Sequence, residues 1–169
     1  MHKSSMESMR EFFSTLDKDS QLKILDVGSC LATGQTDTYK KLIESKLWEY
    51  TGLDLFPGNN VDVVAESPFI WPFENKTFDV VISGQCLEHV SNPFKWIAEI
   101  SRVLKPEGQV CIIVPSAGPI HRSPPYTYDY WRIHPDGMEA ILNSVNFKDV
   151  KVTLSDNNPW RDCVGVGKK

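Results

Sequence analysis

The sequence has 169 residues, of which 41% are hydrophobic and 24% charged, and its formal net charge is −4. This size and composition predict one soluble globular domain over residues 1–169, and the acidic balance argues against a nucleic-acid-binding surface, which usually carries a basic excess. No apolar run reaches the roughly 20 residues that a membrane helix needs, and no apolar signal stretch follows the first residues, so we expect neither a membrane span nor secretion.

The first part of the chain predicts a helix, a strand and a second helix. Residues 6–16 have the spacing of an amphipathic helix, which lies within an N-terminal segment of residues 1–20. The apolar, β-branched stretch 23–28 predicts a buried strand. Helical spacing then returns, with Thr36 as the expected N-cap, in the apolar residues Tyr39, Leu42, Ile43 and Leu47.

The middle of the chain predicts four strands and a helix. Three apolar stretches indicate strands at 50–55, 61–65 and 78–84. A helix then begins with Asn92 as its N-cap and Pro93 at its first position, and we expect it to end at Lys105, before Pro106. The apolar residues 109–115 form the next predicted strand.

The last part of the chain begins with an insert, residues 115–132, that is rich in proline and aromatic residues. Prolines do not serve a central strand, so the insert is expected to be an ordered surface loop. A final helix is marked by the apolar residues Met138, Ile141, Leu142 and Val145. Two strands, at 147–155 and 160–169, are expected to pair in antiparallel fashion.

Strands that alternate with helices predict an α/β fold with a mostly parallel sheet and helices on both faces. Ligands of such sheets bind beyond the carboxyl ends of the strands. The functional residues are therefore expected at 26–30, at Asp54, just after Ala65, and at 83–89.

The turn after the first strand helps to distinguish between nucleotide ligands. Asp54, at the end of the second strand, could accept hydrogen bonds from the two hydroxyls of a ribose, which suits NAD and other adenosine-containing ligands equally. A dinucleotide fold needs a second glycine where its backbone approaches the pyrophosphate, and Cys30 stands in that place. S-adenosylmethionine has no phosphates and has an ammonium group that could lie near Asp26. The turn therefore favours S-adenosylmethionine.

Several stretches together resemble the class I S-adenosylmethionine-dependent methyltransferases, and more narrowly the compact bacterial members of the methyltransferase-11 type. They are ILDVGS, YTGLDL, FDVVIS, CLEHVSNPFKWIAEISRVLKPEGQVCIIVP and YWRIHPDGMEAILNSVNF. The resemblance covers about residues 20–168. It implies a Rossmann-like, mostly parallel sheet of seven strands whose last strand is antiparallel, and it implies S-adenosyl-L-methionine as the cofactor.

The resemblance also assigns expected roles to residues. The expected cofactor-binding residues are Asp26, Gly28, Ser29, Cys30, Asp54, Leu55 and Gln85, with either Glu66 or Ser67 at the adenine. His89 could take a proton from an acceptor hydroxyl, or it could only hold its loop in place. In the insert, we expect His121 and Tyr128 to contact the acceptor, and Trp131 and Arg132 to pack the loop.

The predicted function is methyl transfer to an oxygen, or to a nitrogen, of a small molecule such as a sugar or sugar-linked intermediate. Oxygen is favoured because His89 offers a base. The alternatives are a metal-assisted O-methyltransferase and a non-catalytic cofactor-binding subunit that pairs with an active partner. We expect a monomer or homodimer.

A segment that contains Gln85, Glu88 and His89 resembles a Glu-x-x-Glu-His segment that binds a divalent ion in some methyltransferases. His121 is a further possible ligand. Here the first carboxylate is an amide, which is a poorer ligand for a hard cation. The sequence therefore predicts activity without a metal.

The four cysteines are scattered along the chain and form no CxxC pair: Cys30, Cys86, Cys111 and Cys163. Their spacing is poor for structural zinc, and without a secretory signal we expect reduced thiols. The sequence therefore predicts a cytoplasmic protein.

Overall fold

The computed structural model of the chain describes residues 3–32, 34–122, 128–155 and 159–169. Its strands are β1 (Leu22–Val27), β2 (Trp48–Asp54), β3 (Val63–Val64), β4 (Phe78–Gly84), β5 (Leu104–Pro115), β6 (Lys148–Leu154) and β7 (Asp162–Lys168). Its α-helices are α1 (Lys3–Ser14), α2 (Pro93–Val103) and α3 (Pro135–Asn143). Among the described residues, no helix has both the length and the apolar character to cross a membrane.

The seven strands form one sheet in the order β3-β2-β1-β4-β5-β7-β6. The neighbours from β3 to β5 pair in parallel, whereas β7 runs antiparallel to both β5 and β6. This arrangement confirms the predicted α/β fold with an antiparallel last strand. It also places the carboxyl ends of β1, β2 and β4 next to one another at one edge of the sheet.

Helices cover both faces of the sheet. Successive residues of a buried strand point to opposite faces, so each strand contributes side chains to both packing layers. In β1, Ile24 packs in the cluster that contains α1, whereas Leu25 packs in the cluster that contains α2 and α3. The first cluster includes Met9, Phe12, Phe13, Tyr39, Val80, Ile82 and Ile113. The second includes Val81, Trp96, Ile97, Ile100, Ile112, Met138 and Leu142.

Helix α2 begins as its sequence predicts. The Asn92 side chain accepts a hydrogen bond from the backbone N–H of Lys95, and Pro93 occupies the first helical position. The predicted end at Lys105 is two residues too late, since the helix ends at Val103 and Leu104 is already extended. The ring of Pro106 disfavours helical backbone at the preceding residue, so the chain passes directly into β5.

The helix predicted after Thr36 is wrong. The structure has only a 3-10 helix over Tyr39–Leu42, and Thr38 rather than Thr36 precedes it. Tyr39 is buried, its hydroxyl lies 2.5 Å from the Ser5 hydroxyl, and its ring occupies the space that a side chain at Gly84 would need. This anchoring holds the segment against the sheet in a conformation that helical spacing alone does not anticipate.

Candidate functional site

A cavity of about 330 Å³ lies at the carboxyl ends of β1, β2 and β4. Seven of the predicted site residues line it: Gly28, Cys30, Asp54, Leu55, Gln85, His89 and His121. Five others are not among its lining residues: Asp26, Ser29, Glu66, Ser67 and Tyr128. The fold thus brings residues from the β1, β2 and β4 ends together with a residue of the insert.

Asp54 ends β2 and is held rigidly by backbone donors. Its Oδ2 accepts a hydrogen bond from the N–H of Cys30 at 3.0 Å, and its Oδ1 accepts from the N–H of Leu55 at 2.7 Å and of Phe56 at 3.2 Å. The residue is only 4% exposed, yet it lines the cavity. The Asp54 carboxylate is therefore fixed at the wall of the cavity, and Cys30 contacts it through its backbone N–H.

Gly28 makes the turn after β1 possible. Its φ is +81°, a left-handed conformation that glycine adopts without strain. A Cβ at this position would lie 2.5 Å from both Cβ and Sγ of Cys86. The backbone N–H groups of Gly28 and Ser29 donate to the carbonyl of Leu53, at 2.9 and 3.1 Å. The turn is consequently packed between β2 and the segment after β4.

Asp26 lies beneath this turn, in a polar network that sequence reasoning did not identify. The Tyr50 hydroxyl donates to Asp26 Oδ2 at 2.5 Å, and the Asn60 side-chain amide donates to the Tyr50 oxygen at 2.8 Å and to the Ser29 carbonyl at 3.0 Å. Burial raises the pKa of Asp26 to about 7. The network joins the β1 turn to the loop after β2, so it braces the site from behind.

Neither of the residues expected at the adenine, Glu66 or Ser67, is among the residues that line the cavity. Ser67 Oγ accepts a hydrogen bond from the N–H of Phe69 at 3.2 Å, which stabilises its own turn, and Glu66 is exposed. The cavity is instead lined in this region by Ala65, Pro68 and Trp71. Trp71 belongs both to the core and to the wall of the cavity. It is only 4% exposed, and it both packs edge-to-face against Trp96 and lines the cavity.

Gln85 lines the cavity while its side chain is hydrogen-bonded to the last strand. Its Nε2 donates to Asp162 Oδ1 at 2.9 Å, and Ser4 Oγ of α1 donates to Asp162 Oδ2 at 2.7 Å. Asp162 is fully buried at the start of β7, opposite Pro115 of β5. Sequence analysis did not identify this contact. The signal that could have revealed it is Asp162, an acidic residue at the first position of an apolar strand.

Glu88, His89 and His121 meet beside the cavity. Each offers one ligand atom, and these three atoms lie within 4.8 Å of one another. His89 Nε2 is 3.8 Å from Glu88 Oε1, and the two imidazole ring centres are 5.1 Å apart. Glu88 is fully buried, and neither of its carboxylate oxygens has a hydrogen-bond partner in the part of the chain that the structure describes. Burial raises the pKa of Glu88 to about 8.

The insert is attached to this cluster through its backbone. His89 Nδ1 lies 2.5 Å from the carbonyl oxygen of Tyr128, and the N–H of Tyr130 donates to the carbonyl of Glu88 at 2.7 Å. The Tyr128 ring is 62% exposed and stacks on Tyr130, which lines the cavity and was not singled out from the sequence. The Trp131 indole donates to the Val90 carbonyl at 2.8 Å. Residues 123–127 of the insert lie outside the described residues.

An ion pair within the insert fixes its shape. Arg132 Nη1 and Nη2 donate to Asp129 Oδ1 and Oδ2 at 2.5 and 2.7 Å, and the N–H of His121 donates to Asp129 Oδ2 at 2.7 Å. Burial opposes ionisation of Asp129, but these hydrogen bonds outweigh it and lower its pKa to about 2. The ion pair therefore places His121 beside His89.

Comparison with known proteins identifies related sequences. The family model described as "Methyltransferase domain" matches residues 25–112, just over half of the chain. The chain is 30% identical over 99 residues to 2-methyl-6-phytyl-1,4-hydroquinone methyltransferase 1, chloroplastic, of Oryza sativa subsp. japonica. That match covers 56% of this chain and 29% of the rice protein, so the chain spans less than a third of its relative's length.

Solved structures share the fold. A SAM dependent methyltransferase from Archaeoglobus fulgidus superposes with a TM-score of 0.71 at 16% identity, covering 97% of this chain and 92% of the other. Burkholderia thailandensis 1,6-didemethyltoxoflavin-N1-methyltransferase superposes with a TM-score of 0.68 at 17% identity, covering 99% and 77%. From the family match, together with this shared fold, the chain belongs to the class I S-adenosylmethionine-dependent methyltransferases, of the methyltransferase-11 type.

Proposed function

We propose that this chain transfers the methyl group of S-adenosylmethionine to an oxygen, or to a nitrogen, of a small molecule such as a sugar or sugar-linked intermediate. One observation carries the proposal: the same cavity is lined by Asp54, which suits a ribose, and by His89 and His121, which suit an acceptor. We further propose a cytoplasmic location and a monomer or homodimer, as the sequence predicts.

The residues around Asp54 fit the cofactor. The Asp54 carboxylate is fixed by three backbone donors at the wall of the cavity, and a carboxylate is the kind of group that accepts hydrogen bonds from ribose hydroxyls. Ala65, Pro68 and Trp71 offer an apolar lining for an adenine ring, and Gly28 brings bare backbone to the cavity. When bound, S-adenosylmethionine supplies a methyl group on a positively charged sulfonium, which is already an activated donor.

His89 is placed to accept the proton of an acceptor hydroxyl. A carbonyl can only accept, so the contact with Tyr128 requires that His89 Nδ1 carry the hydrogen. In the neutral imidazole, Nε2 is then the nitrogen that can accept a proton. The acceptor oxygen forms its bond to the methyl carbon while the carbon–sulfur bond breaks, leaving its electron pair on sulfur, and the hydroxyl proton passes to His89 Nε2. A general base of this kind contributes about 10²–10⁴-fold, and positioning contributes the rest.

The insert supports the choice of a small-molecule acceptor. Tyr130 and His121 line the cavity, and the exposed ring of Tyr128 stacks on Tyr130, so a planar or sugar ring could pack against aromatic surface there. Two of the similar proteins are named for small organic acceptors, a hydroquinone and 1,6-didemethyltoxoflavin. The sugar class rests on the aromatic and arginine composition of the insert.

Calorimetric titration of the full chain with S-adenosylmethionine, S-adenosylhomocysteine and NAD tests the cofactor. We expect heat with the first two ligands and none with NAD, and binding of NAD alone would contradict the proposal. The acceptor is then sought by incubating cell extract with S-adenosylmethionine that carries an isotopically labelled methyl group. Mass spectrometry should find label on a small molecule, bound through oxygen or nitrogen. Label found only on protein or nucleic acid would overturn the acceptor class.

A further inference from the structure

We propose that Glu88, His89 and His121 bind a divalent transition-metal ion, such as zinc, beside the cavity. Only the role of the ion in methyl transfer rests on the proposed function, since binding of the ion follows from these three side chains alone. The three ligand atoms already lie within 4.8 Å of one another. If the ligand atoms that are furthest apart approach by about 1.5 Å, they reach the spacing of about 3.3 Å that tetrahedral Zn–N and Zn–O bonds require.

The unpartnered carboxylate of Glu88 is the observation that points most directly to a cation. It is fully buried, and neither oxygen has a hydrogen-bond partner in the described part of the chain. A buried polar group without a hydrogen-bond partner is unfavourable, and coordination of a metal ion would give these oxygens a partner. The nearby guanidinium of Arg132 does not meet this need, because it donates to Asp129 and to the carbonyls of Gly118 and Pro119.

His89 is oriented in the way that metal-binding histidines usually are. Such a histidine uses one ring nitrogen for the ion while the other is held by a carbonyl or a carboxylate. His89 Nδ1 is held by the Tyr128 carbonyl at 2.5 Å, which leaves Nε2 on the side of Glu88. His121 Nδ1 lies 3.3 Å from Asp129 Oδ2, and Arg132 fixes that carboxylate.

The ligand set also selects the class of ion. Two imidazoles and one carboxylate favour zinc and its first-row neighbours over magnesium and calcium, which prefer oxygen ligands. Three protein ligands leave at least one coordination position for another molecule, as in catalytic rather than structural sites.

The sequence predicts a metal-free site because Gln85 stands where a similar segment has a carboxylate ligand. In the structure, the Gln85 amide is already engaged, because its Nε2 donates to Asp162 Oδ1 at 2.9 Å. His121, which the fold brings in from the insert, completes a set of three in its place. The amide therefore does not weaken the site.

With the ion bound, His89 would be a ligand, and the base role proposed above would apply only to the metal-free chain. The acceptor hydroxyl oxygen would bind the open position, its pKa would fall, and its proton would pass to solvent water. The oxygen then forms its bond to the methyl carbon as the carbon–sulfur bond breaks with its electron pair on sulfur. The metal thus replaces His89 in releasing the proton.

The test is calorimetric titration of zinc into the full chain after exhaustive dialysis against chelator, without S-adenosylmethionine. We expect one zinc per chain. Glu88→Gln, His89→Ala and His121→Ala should each weaken zinc binding at least about tenfold, since even the loss of an outer partner of a ligand costs 10–100-fold. His134→Ala is the matched control: His134 contacts Ser116 outside the cluster, and this variant should keep wild-type affinity.

A second measurement separates this site from the thiols of Cys30 and Cys86, which also line the cavity. Cobalt(II) bound to thiolate gives an intense near-ultraviolet charge-transfer band, which nitrogen and oxygen ligands do not give. We expect the cobalt-loaded chain to lack this band. A wild type that binds no zinc, variants that keep full affinity, or a thiolate band would each overturn the inference. Zinc binding without S-adenosylmethionine binding would instead overturn the proposed function and leave the metal site standing.

Discussion

Gln85 and Asp162 are joined by a hydrogen bond of 2.9 Å from Nε2 to Oδ1, and the other oxygen of Asp162 accepts from Ser4 at 2.7 Å. The first helix, the end of β4 and the start of β7 therefore meet at one buried carboxylate. Gln85 lines the cavity with a positive φ of 57°, a conformation that a non-glycine residue rarely adopts without support. The N-terminal helix therefore helps to position Gln85, a cavity residue that is far from this helix in the sequence.

Ser4→Ala should lower the free energy of unfolding by about 1–3 kcal/mol, because it leaves Asp162 Oδ2 buried without its donor. Urea unfolding followed by circular dichroism measures this change. Ser14→Ala is the control: Ser14 is in the same helix, but its hydroxyl is exposed and donates only to the local Glu11 carbonyl. Equal stabilities of the two variants would show that the Ser4 contact adds nothing.

Asp54→Asn should weaken S-adenosylmethionine binding at least tenfold, because a charge-assisted hydrogen bond of about 2 kcal/mol becomes a neutral one. Asp54→Ala should also destabilise the chain without ligand, since the N–H groups of Cys30, Leu55 and Phe56 lose their acceptor. Calorimetry measures the affinity, and thermal unfolding measures the stability. Asp37→Asn, at an exposed acid, is the control. Unchanged affinity in Asp54→Asn would remove Asp54 from the ribose site.

The free energy of unfolding should fall as the pH rises from about 4 to about 8 in chelator-treated protein. Burial raises the pKa of Asp26 to about 7 and that of Glu88 to about 8. In the unfolded chain, carboxyl groups have pKa values of about 4. The folded chain therefore holds these protons more tightly than the unfolded chain does. The resulting stability is fully present below the unfolded pKa values and is lost as the pH passes through the folded ones.

Two variants assign this pH dependence to its groups. Asp26→Asn should flatten the curve up to about pH 7, and Glu88→Gln should flatten it up to about pH 8. Asp129 has a lowered pKa of about 2, so it acts in the opposite direction and only below about pH 4. Urea titrations at a series of pH values give the curves. Stability that rises between pH 5 and 8 would contradict the assignment.

Tyr130→Ala should reduce kcat/KM for the acceptor by up to about tenfold, mainly through a higher KM, while leaving S-adenosylmethionine affinity unchanged. Its ring lines the cavity, and loss of one aromatic contact costs about 0.5–1.5 kcal/mol. Tyr128→Ala is the matched comparison, because that ring is 62% exposed and reaches the cavity only through its stack on Tyr130. Steady-state kinetics with the acceptor found by isotope labelling would separate the two. A larger loss of kcat/KM in Tyr128→Ala would contradict the prediction, because it would show that Tyr128 contributes more to acceptor binding than Tyr130 does.

Local pattern was sufficient for much of this fold. The Asn92–Pro93 helix start and the buried strands follow from interactions within a few residues, and the structure confirms them. The segment after Thr36 could not be predicted, because its shape depends on Tyr39 packing beneath Gly84 and beside Ser5, which are far away in the sequence. Helical spacing carries no information about such a distant partner.

The candidate site likewise has features that the sequence predicts and features that it does not. Strand ends predicted that Gly28, Asp54 and Gln85 would gather, because parallel strands finish at one edge. The partners of these residues were not predictable: Tyr50 reaches Asp26, and Asp162 reaches Gln85, across strands whose register the sequence does not specify. Ser67 is a different case. Its place in the sequence predicted a contact with the adenine, whereas in the structure its hydroxyl accepts a hydrogen bond within its own turn.

The attachment of the insert has a consequence for how the acceptor preference proposed for this chain could be changed. Two of its contacts to the segment after β4 use backbone atoms of the insert, the carbonyl of Tyr128 and the N–H of Tyr130. Because these atoms are present whatever the side chain, the identity of residues 128 and 130 can vary while His89 stays in place. Libraries restricted to these two positions should therefore alter acceptor preference without loss of fold, which makes this chain a suitable starting point for directed evolution of methylation specificity.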